Sequence, residues 1–251
     1  MPQEVDVLKN REQDTLHDKE WTQKITRWAA WLFTNKDQAA RDAFSQISDP
    51  HAIAGLKLVL KTDSRERART QYIDTLARIG THPAVVLIAT RSVEDTAEEV
   101  RMVALDYLRK AKSPDAVSYL VGQLRSKDNV WVNRAAVGLG YLGDRSAVGP
   151  LIDALITPHK FKIVTGNGNP NSLSSSFIPG GKTSGGMGGA GMGVGGGTQI
   201  VTQHIQNPSV LDALVLLTGG VNYGFDVRAW KYWYTSLKER DVVAGRRGKG
   251  Q

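Results

Sequence analysis

Residues 147–155 read AVGPLIDAL, and the same pattern stands three more times upstream: AVSYLVGQL at 116–124, AVVLIATRS at 84–92 and AIAGLKLVL at 52–60. The leading alanines, Ala52, Ala84, Ala116 and Ala147, are spaced 32, 32 and 31 residues apart. A β-branched residue follows each (Ile53, Val85, Val117, Val148), and three positions further on comes Leu56, Ile88, Leu120 or Leu151. Leu124 and Leu155 extend the spacing to i, i+4, i+8, which is one apolar stripe on a helix.

Three residues before each alanine stands Asp49, Thr81, Ser113 or Asp144, types whose side-chain oxygen can accept from the free N–H groups of a helix start. Pro50 and Pro114 follow directly, where a missing N–H costs nothing. A second periodic stretch lies earlier in each unit: Phe44 and Ile47, Leu76 and Ile79, Leu105 and Leu108, Leu139 and Leu142. Each unit therefore reads helix, tight turn, helix, and the link to the next carries Asp63, Asp95 or Asp128. Such a pair cannot bury its apolar faces alone; stacked neighbours share one continuous core. Four units are expected, at 37–66, 67–99, 100–130 and 131–160. Arg69 and Arg101 share a column, while Arg134 reads as displaced from it, so no unbroken arginine ladder is expected.

The segment VNRAAVGLGYLGDRSAVGPLIDAL, with small Gly138, Gly140 and Gly143, resembles the HEAT-like repeats of phycobilisome-lyase-type proteins. That resemblance implies an all-α superhelix, a HEAT-like solenoid. Before the repeats, 18–34 reads as a helix with Trp21, Ile25, Trp28 and Leu32 on one face, within a capping segment 18–36 that follows a tail at 1–17. Repeat arrays need such end caps.

The last third departs from the pattern. FKIVT (161–165) and TQIVTQHI (198–205) suit strands, giving a small β-hairpin insertion at 161–205. Between them PGGKTSGGMGGAGMGVGGG (179–197) holds eleven glycines, so the loop 166–198 is expected to be disordered. NPSVLDALVLLTGG (207–220) reads as a helix ended by glycine. A last helix follows, capped by Asp226, with Val227, Trp230, Trp233 and Leu237 as its apolar face. These form a second capping segment at 206–240, before a basic tail at 241–251.

Composition narrows the chemistry. The chain of 251 residues has no cysteine, which removes disulfides, thiolate nucleophiles and Cys-ligated metals. Its net charge is +7, from 32 Lys/Arg against 25 Asp/Glu; ten of those cations and four of the acids lie from residue 156 onward. Repeats of near-neutral charge do not make a duplex-binding groove, which wants many Lys and Arg. GGKTS fails as a phosphate loop because Ser176 stands where the first glycine belongs, and GMGGAG (186–191) has no strand–turn–helix around it. His17, His51, His82, His159 and His204 form no His-Glu pair and no metal-binding spacing. Trp131 with Arg134 faintly resembles the HEAT-like DNA glycosylases for alkylated bases, but Ala135 stands where the carboxylate is expected. The phycobilisome-lyase resemblance also raises bilin handling, which no residue argues for specifically.

The exposed columns of the second helices read Ala54, Val86, Ser118, Gly149 and Lys57, Ala89, Val121, Ile152. With Arg91, Tyr119 and Gln123 nearby they suit a protein or peptide better than phosphates. The expectation is a non-catalytic scaffold needing no cofactor or metal, with Lys57, Arg91, Tyr119 and Gln123 as candidate partner-binding residues and nucleic acid as the less favoured partner. No run of 18 apolar residues and no signal pattern occur, which suggests the cytoplasm unless the chain is cut from a longer one.

Overall fold

The repeat period becomes a series of helix pairs because neither helix of a unit can hide its stripe without the next unit. A computed structural model of the chain describes residues 2–164 and 198–247. The chain divides into two compact units, Met1–Leu120 and Val121–Gln251.

The first unit opens with α1 (Pro2–Trp31), followed by α2 (Asp37–Ser45), α3 (Ala52–Thr62), α4 (Glu66–Ile79), α5 (His82–Glu94) and α6 (Glu98–Ala111); α7 (Pro114–Gln123) crosses the division. First helices pack on first helices, α2 on α4 and α4 on α6, and α3 packs on α5. Ala52, Leu56, Ala84, Ile88, Ala116 and Leu120 are all buried, so the repeat register is the one the alanines mark.

The cap helix is longer at its start than 18–34 and stops earlier. NREQDTLHDKEWTQ (10–23) holds strong helix formers and neither Gly nor Pro, so nothing ends the helix before its first turn. It ends at Trp31 because Phe33 takes a left-handed φ of 65°. α1 lies on α3 so closely that a Cβ on Gly55 would stand 2.9 Å from both Thr22 Cα and Ile25 Cδ1. Trp21, Trp28, Phe44 and Tyr72 form a run of ring contacts, with centroids 6.3, 6.2 and 5.4 Å apart. Trp28 is half-buried rather than fully enclosed.

The expected helix caps divide. Asp49 accepts from the His51 N–H at 2.9 Å and from Trp21 Nε1 at 2.9 Å, and Asp144 accepts from the Ser146 N–H at 2.8 Å. Thr81 makes no such bond; its hydroxyl is buried without a partner. Pro83 already fills a position in the first turn of α5, so one donor there needs no cap.

The second unit continues from the end of α7 with α8 (Asn129–Leu142), a 3-10 turn (Arg145–Ala147) and α9 (Val148–Ala154). Strands β1 (Ile156–Val164) and β2 (Thr198–Gln206), then α10 (Pro208–Thr218) and α11 (Val227–Arg247), complete it. The strands pair antiparallel from Ile156–Gln206 to Val164–Thr198. Pairing thus starts before Phe161, as soon as α9 ends. The Asn207 N–H donates to the Leu155 carbonyl at 2.9 Å. The fully buried Asn207 amide donates to the Ala154 carbonyl and to Thr157 Oγ1, both at 2.8 Å. The expected glycine-rich loop lies, but for Thr198, outside the described residues, as do positions 248–251 of the tail.

α10 packs on α8 and α9, and α11 packs on α9. A Cβ on Gly140 would stand 3.3 Å from the Ala213 Cβ, so the small residue is what lets α8 and α10 approach. Asp226 Oδ1 caps α11, accepting from Arg228 and Ala229 N–H at 3.0 Å. Trp230 is wholly enclosed and donates from Nε1 to the Gly224 carbonyl at 2.9 Å. Leu237, expected on the same apolar face, is exposed. It lies a turn beyond Tyr234, the residue that meets Gly149 of α9.

Candidate functional site

The expected partner-binding residues stand on the second helices α3, α5 and α7. Lys57 is exposed on α3, beside exposed Ala54 and Leu58. On α5, Arg91 Nη2 pairs with Glu94 Oε2 at 2.7 Å, while Arg91 Nε is buried and meets no acceptor. Tyr119 of α7 is half-buried. Burial pushes its hydroxyl above the usual phenol range, and Glu94 and Arg91 act on it electrostatically, with opposite signs. The structure therefore brings Arg91, Glu94 and Tyr119 into one cluster of the first unit, with Thr90 beside them. Gln123, half-buried, follows Tyr119 by one turn of α7.

The second of the two columns read as exposed is a correction. Ala89 and Ile152 are buried, and only Lys57 of that column is fully exposed. The column lies one 100° step from the buried Leu56, Ile88, Leu120 and Leu151, and a packed helix buries a stripe about that wide.

What holds this face in place is a motif that the sequence reading passed over. After each second helix an aspartate accepts from the N–H two residues on. Asp63 takes Arg65 at 2.9 Å, Asp95 takes Ala97 at 2.9 Å and Asp128 takes Val130 at 2.8 Å. Six residues after each stands an arginine: Arg69, Arg101 and Arg134. Arg69 Nη1 donates to the Asp63 and Ser64 carbonyls at 3.1 and 2.9 Å, and Arg101 Nη1 repeats this on Asp95 and Thr96 at 3.0 and 3.1 Å. The arginine column is thus in register when counted from the aspartates. Against the alanines Arg134 is displaced by two, because Asp128 stands 19 residues before Ala147 whereas Asp63 and Asp95 stand 21 before Ala84 and Ala116. The signal available was an Asp-x5-Arg column.

Asp63 shows how these turns are charged. Burial opposes its ionisation, but bonds from the Arg65 side chain and backbone and from the Tyr72 hydroxyl outweigh it and hold the carboxyl below its ordinary range. Tyr72 is correspondingly pushed far up, by burial first and by Asp63 second.

Helix pairs at a 32-residue period, a buried alanine-leucine stripe and the Asp-x5-Arg turns describe one repeat type. Residues 53–138 match the family model for HEAT repeats, and residues 133–157 match that for the PBS lyase HEAT-like repeat. These are HEAT-like repeats. The chain is a HEAT-like α-solenoid with a two-stranded β-hairpin set between α9 and α10. A search of curated proteins finds no match to it.

Among the described residues no group of three or more His, Cys, Asp or Glu could hold a metal ion, and no helix is long and apolar enough to cross a membrane. His51 and His82 serve the inter-helix turns. Their Nδ1 atoms lie 2.9 Å from Asp18 Oδ1 and 2.7 Å from Asp115 Oδ2. Trp131 is half-buried and Ala135 fully buried, so no carboxylate stands at the glycosylase-like position. In the second unit a cleft of about 290 Å³ opens between the end of α7, α9 and β1, with apolar Val121, Leu124 and Ile156 in its wall and Arg125 and Asp153 at its rim.

Proposed function

We propose that this chain is a non-catalytic HEAT-like scaffold of the cytoplasm that holds a protein or peptide partner on the face formed by its second helices. Lys57, Arg91, Tyr119 and Gln123 are the residues proposed to contact it. The observation that carries the reading is the buried Arg91 Nε without an acceptor, set beside Glu94 and Tyr119, with Leu58 and Lys57 exposed on α3. A buried donor left unpaired costs about 1–3 kcal/mol, and a small swing of the Arg91 side chain towards a partner's carbonyl or carboxylate would recover it. Aromatic and arginine anchors amid small apolar neighbours are the composition that protein interfaces favour. The scaffold's contribution is preorganisation, since a stacked array has already lost the entropy that binding otherwise costs.

The test is a random-peptide display selection against the whole chain. Selected peptides are expected to lose at least tenfold in affinity on Arg91→Ala with Tyr119→Ala, and to be indifferent to the exposed change Asp106→Ala. Peptides whose binding ignores both substitutions would move the partner site elsewhere.

A further inference from the structure

The end of α1 and the turn into α2 carry a second surface, separate from the face just described. Along it, cations alternate with aromatic rings. Lys24 Nζ lies 5.0 Å from the Trp21 ring centroid. Arg27 Cζ and Lys36 Nζ lie 5.7 and 4.9 Å from that of Trp31. Arg41 Cζ and Arg65 Cζ lie 5.4 and 5.5 Å from that of Phe33.

Two of the five cations are neutralised in place. Arg41 pairs with Asp37 at 2.6 Å and Arg65 with Asp63 at 2.7 Å. Among the described residues no carboxylate pairs with Lys24, Arg27 or Lys36, all three of which are exposed. Phe33 is 44% exposed and sits at φ 65°, a conformation that costs a residue with a Cβ about 1–2 kcal/mol. Its N–H is held by Asp37 Oδ1 at 2.7 Å, and Arg65 is fixed by the Leu32 and Ala29 carbonyls, both at 2.8 Å. A glycine would end α1 without that cost. The chain instead keeps a large ring in solvent and braces it.

From this surface we infer that the α1–α2 turn binds single-stranded nucleic acid, through Lys24, Arg27 and Lys36 on phosphates and Trp31 and Phe33 on bases. The choice among anionic partners follows from what each would leave unsatisfied. A cation over an exposed ring is worth only about 0.5–1 kcal/mol, and the contacts of Arg27 and Lys36 with Trp31, at 5.7 and 4.9 Å from its centroid, are of that kind. An incoming phosphate therefore draws Arg27 and Lys36 off Trp31 and uncovers the ring face. A strand of nucleic acid supplies the next group, a base, to stack there. An acidic peptide would take the same cations and leave the ring bare. Duplex is disfavoured because its bases are already stacked. The near-neutral repeats do not count against this reading, since a short strand needs a patch rather than a long basic groove.

The experiment is fluorescence anisotropy on the whole chain with labelled twelve-residue oligo-dT and oligo-rU, and with polyglutamate of the same length. Both oligonucleotides are expected to bind, and affinity to fall roughly 20- to 50-fold between 50 and 200 mM salt if three or four phosphates are engaged. Polyglutamate is expected to bind at least tenfold more weakly. Arg27→Ala with Lys36→Ala, both exposed and safe for the fold, should flatten the salt dependence. Phe33→Leu should cost about 5- to 160-fold, the value of stacking one base. Arg67→Ala with Lys127→Ala, two exposed cations away from the patch, should change nothing. Polyglutamate binding as tightly as the oligonucleotides would make the patch an acidic-protein site and overturn the inference. An unchanged affinity in the Arg27/Lys36 variant would also overturn it. Preference between oligo-dT and oligo-rU decides only whether the strand is DNA or RNA.

Discussion

Arg69, near the start of one repeat, grips Asp95 in the turn that ends it, with Nε 3.0 Å from Oδ2 and Nη2 2.9 Å from Oδ1, and the two side chains are only 8% and 2% exposed. The same guanidinium also holds the carbonyls of its own turn, and the same carboxylate accepts from the Ala97 N–H. One pair of side chains thus fixes two turns and the spacing between them.

Removing one partner should therefore be expensive. Asp95→Ala leaves a buried guanidinium without its counter-charge, and about 3–5 kcal/mol of stability should go with it. Replacing both partners with apolar residues of similar volume, Arg69→Met with Asp95→Leu, should cost less than either single change. Urea unfolding of the three variants checks the order. A double variant worse than both singles would mean that the backbone bonds, not the charge pair, dominate.

Leu120 is fully buried in the alanine-leucine stripe. Leu120→Ala should lose about 2–5 kcal/mol. Calorimetry showing an unshifted Tm would contradict the register on which the helix pairs rest.

Two glycines of second helices should respond oppositely to the same change. Gly55→Ala puts a methyl 2.9 Å from backbone Thr22 Cα, so α1 must lift from α3, at a cost of about 1–3 kcal/mol. Gly122 has nothing within 4 Å, and Gly122→Ala should gain about 0.5–1 kcal/mol from helix propensity alone. Parallel melting curves give the sign of each.

His51 should titrate above 6.5. Its hydrogen bond to Asp18 favours the charged ring against a smaller effect of burial, and Asp49 and Asp14 add to it, with His17 edge-on at 5.3 Å. Because the folded value is raised, the stabilisation is complete below about pH 6.5 and disappears as pH rises through the folded value. An NMR titration of the His51 ring should show a midpoint that falls towards 6.5 in Asp18→Asn. A midpoint that stays put in that variant would rule out the Asp18 bond as its cause.

The fold was legible where side chains report burial directly. Ala52, Ala84, Ala116 and Ala147 are all fully buried, so their period exposes the architecture. The Asp-x5-Arg turns were harder to read. Their aspartates sit in short polar runs such as KTDSRER that look like ordinary solvated links, and their partners are backbone groups, which leave no trace in composition. Phe33 was missed for a related reason: a residue that ends a helix in a left-handed turn is normally sought as glycine. Ala89 and Ile152 went astray because a packed stripe is wider than one column of residues.

The Asn207 junction carries a consequence for how this molecule can change. Polypeptide leaves the array at Leu155 and re-enters at Asn207, whose N–H meets the Leu155 carbonyl at 2.9 Å and whose side chain meets the Ala154 carbonyl at 2.8 Å, so the exit and entry doors stand side by side. Whatever is threaded between them does not alter the distance from α9 to α10. The far part of the hairpin is therefore a cassette: its length and content can change while the helices on either side keep their places, provided Ala154 and Thr157 still hold the Asn207 amide. Selection can rewrite that cassette without renegotiating the core.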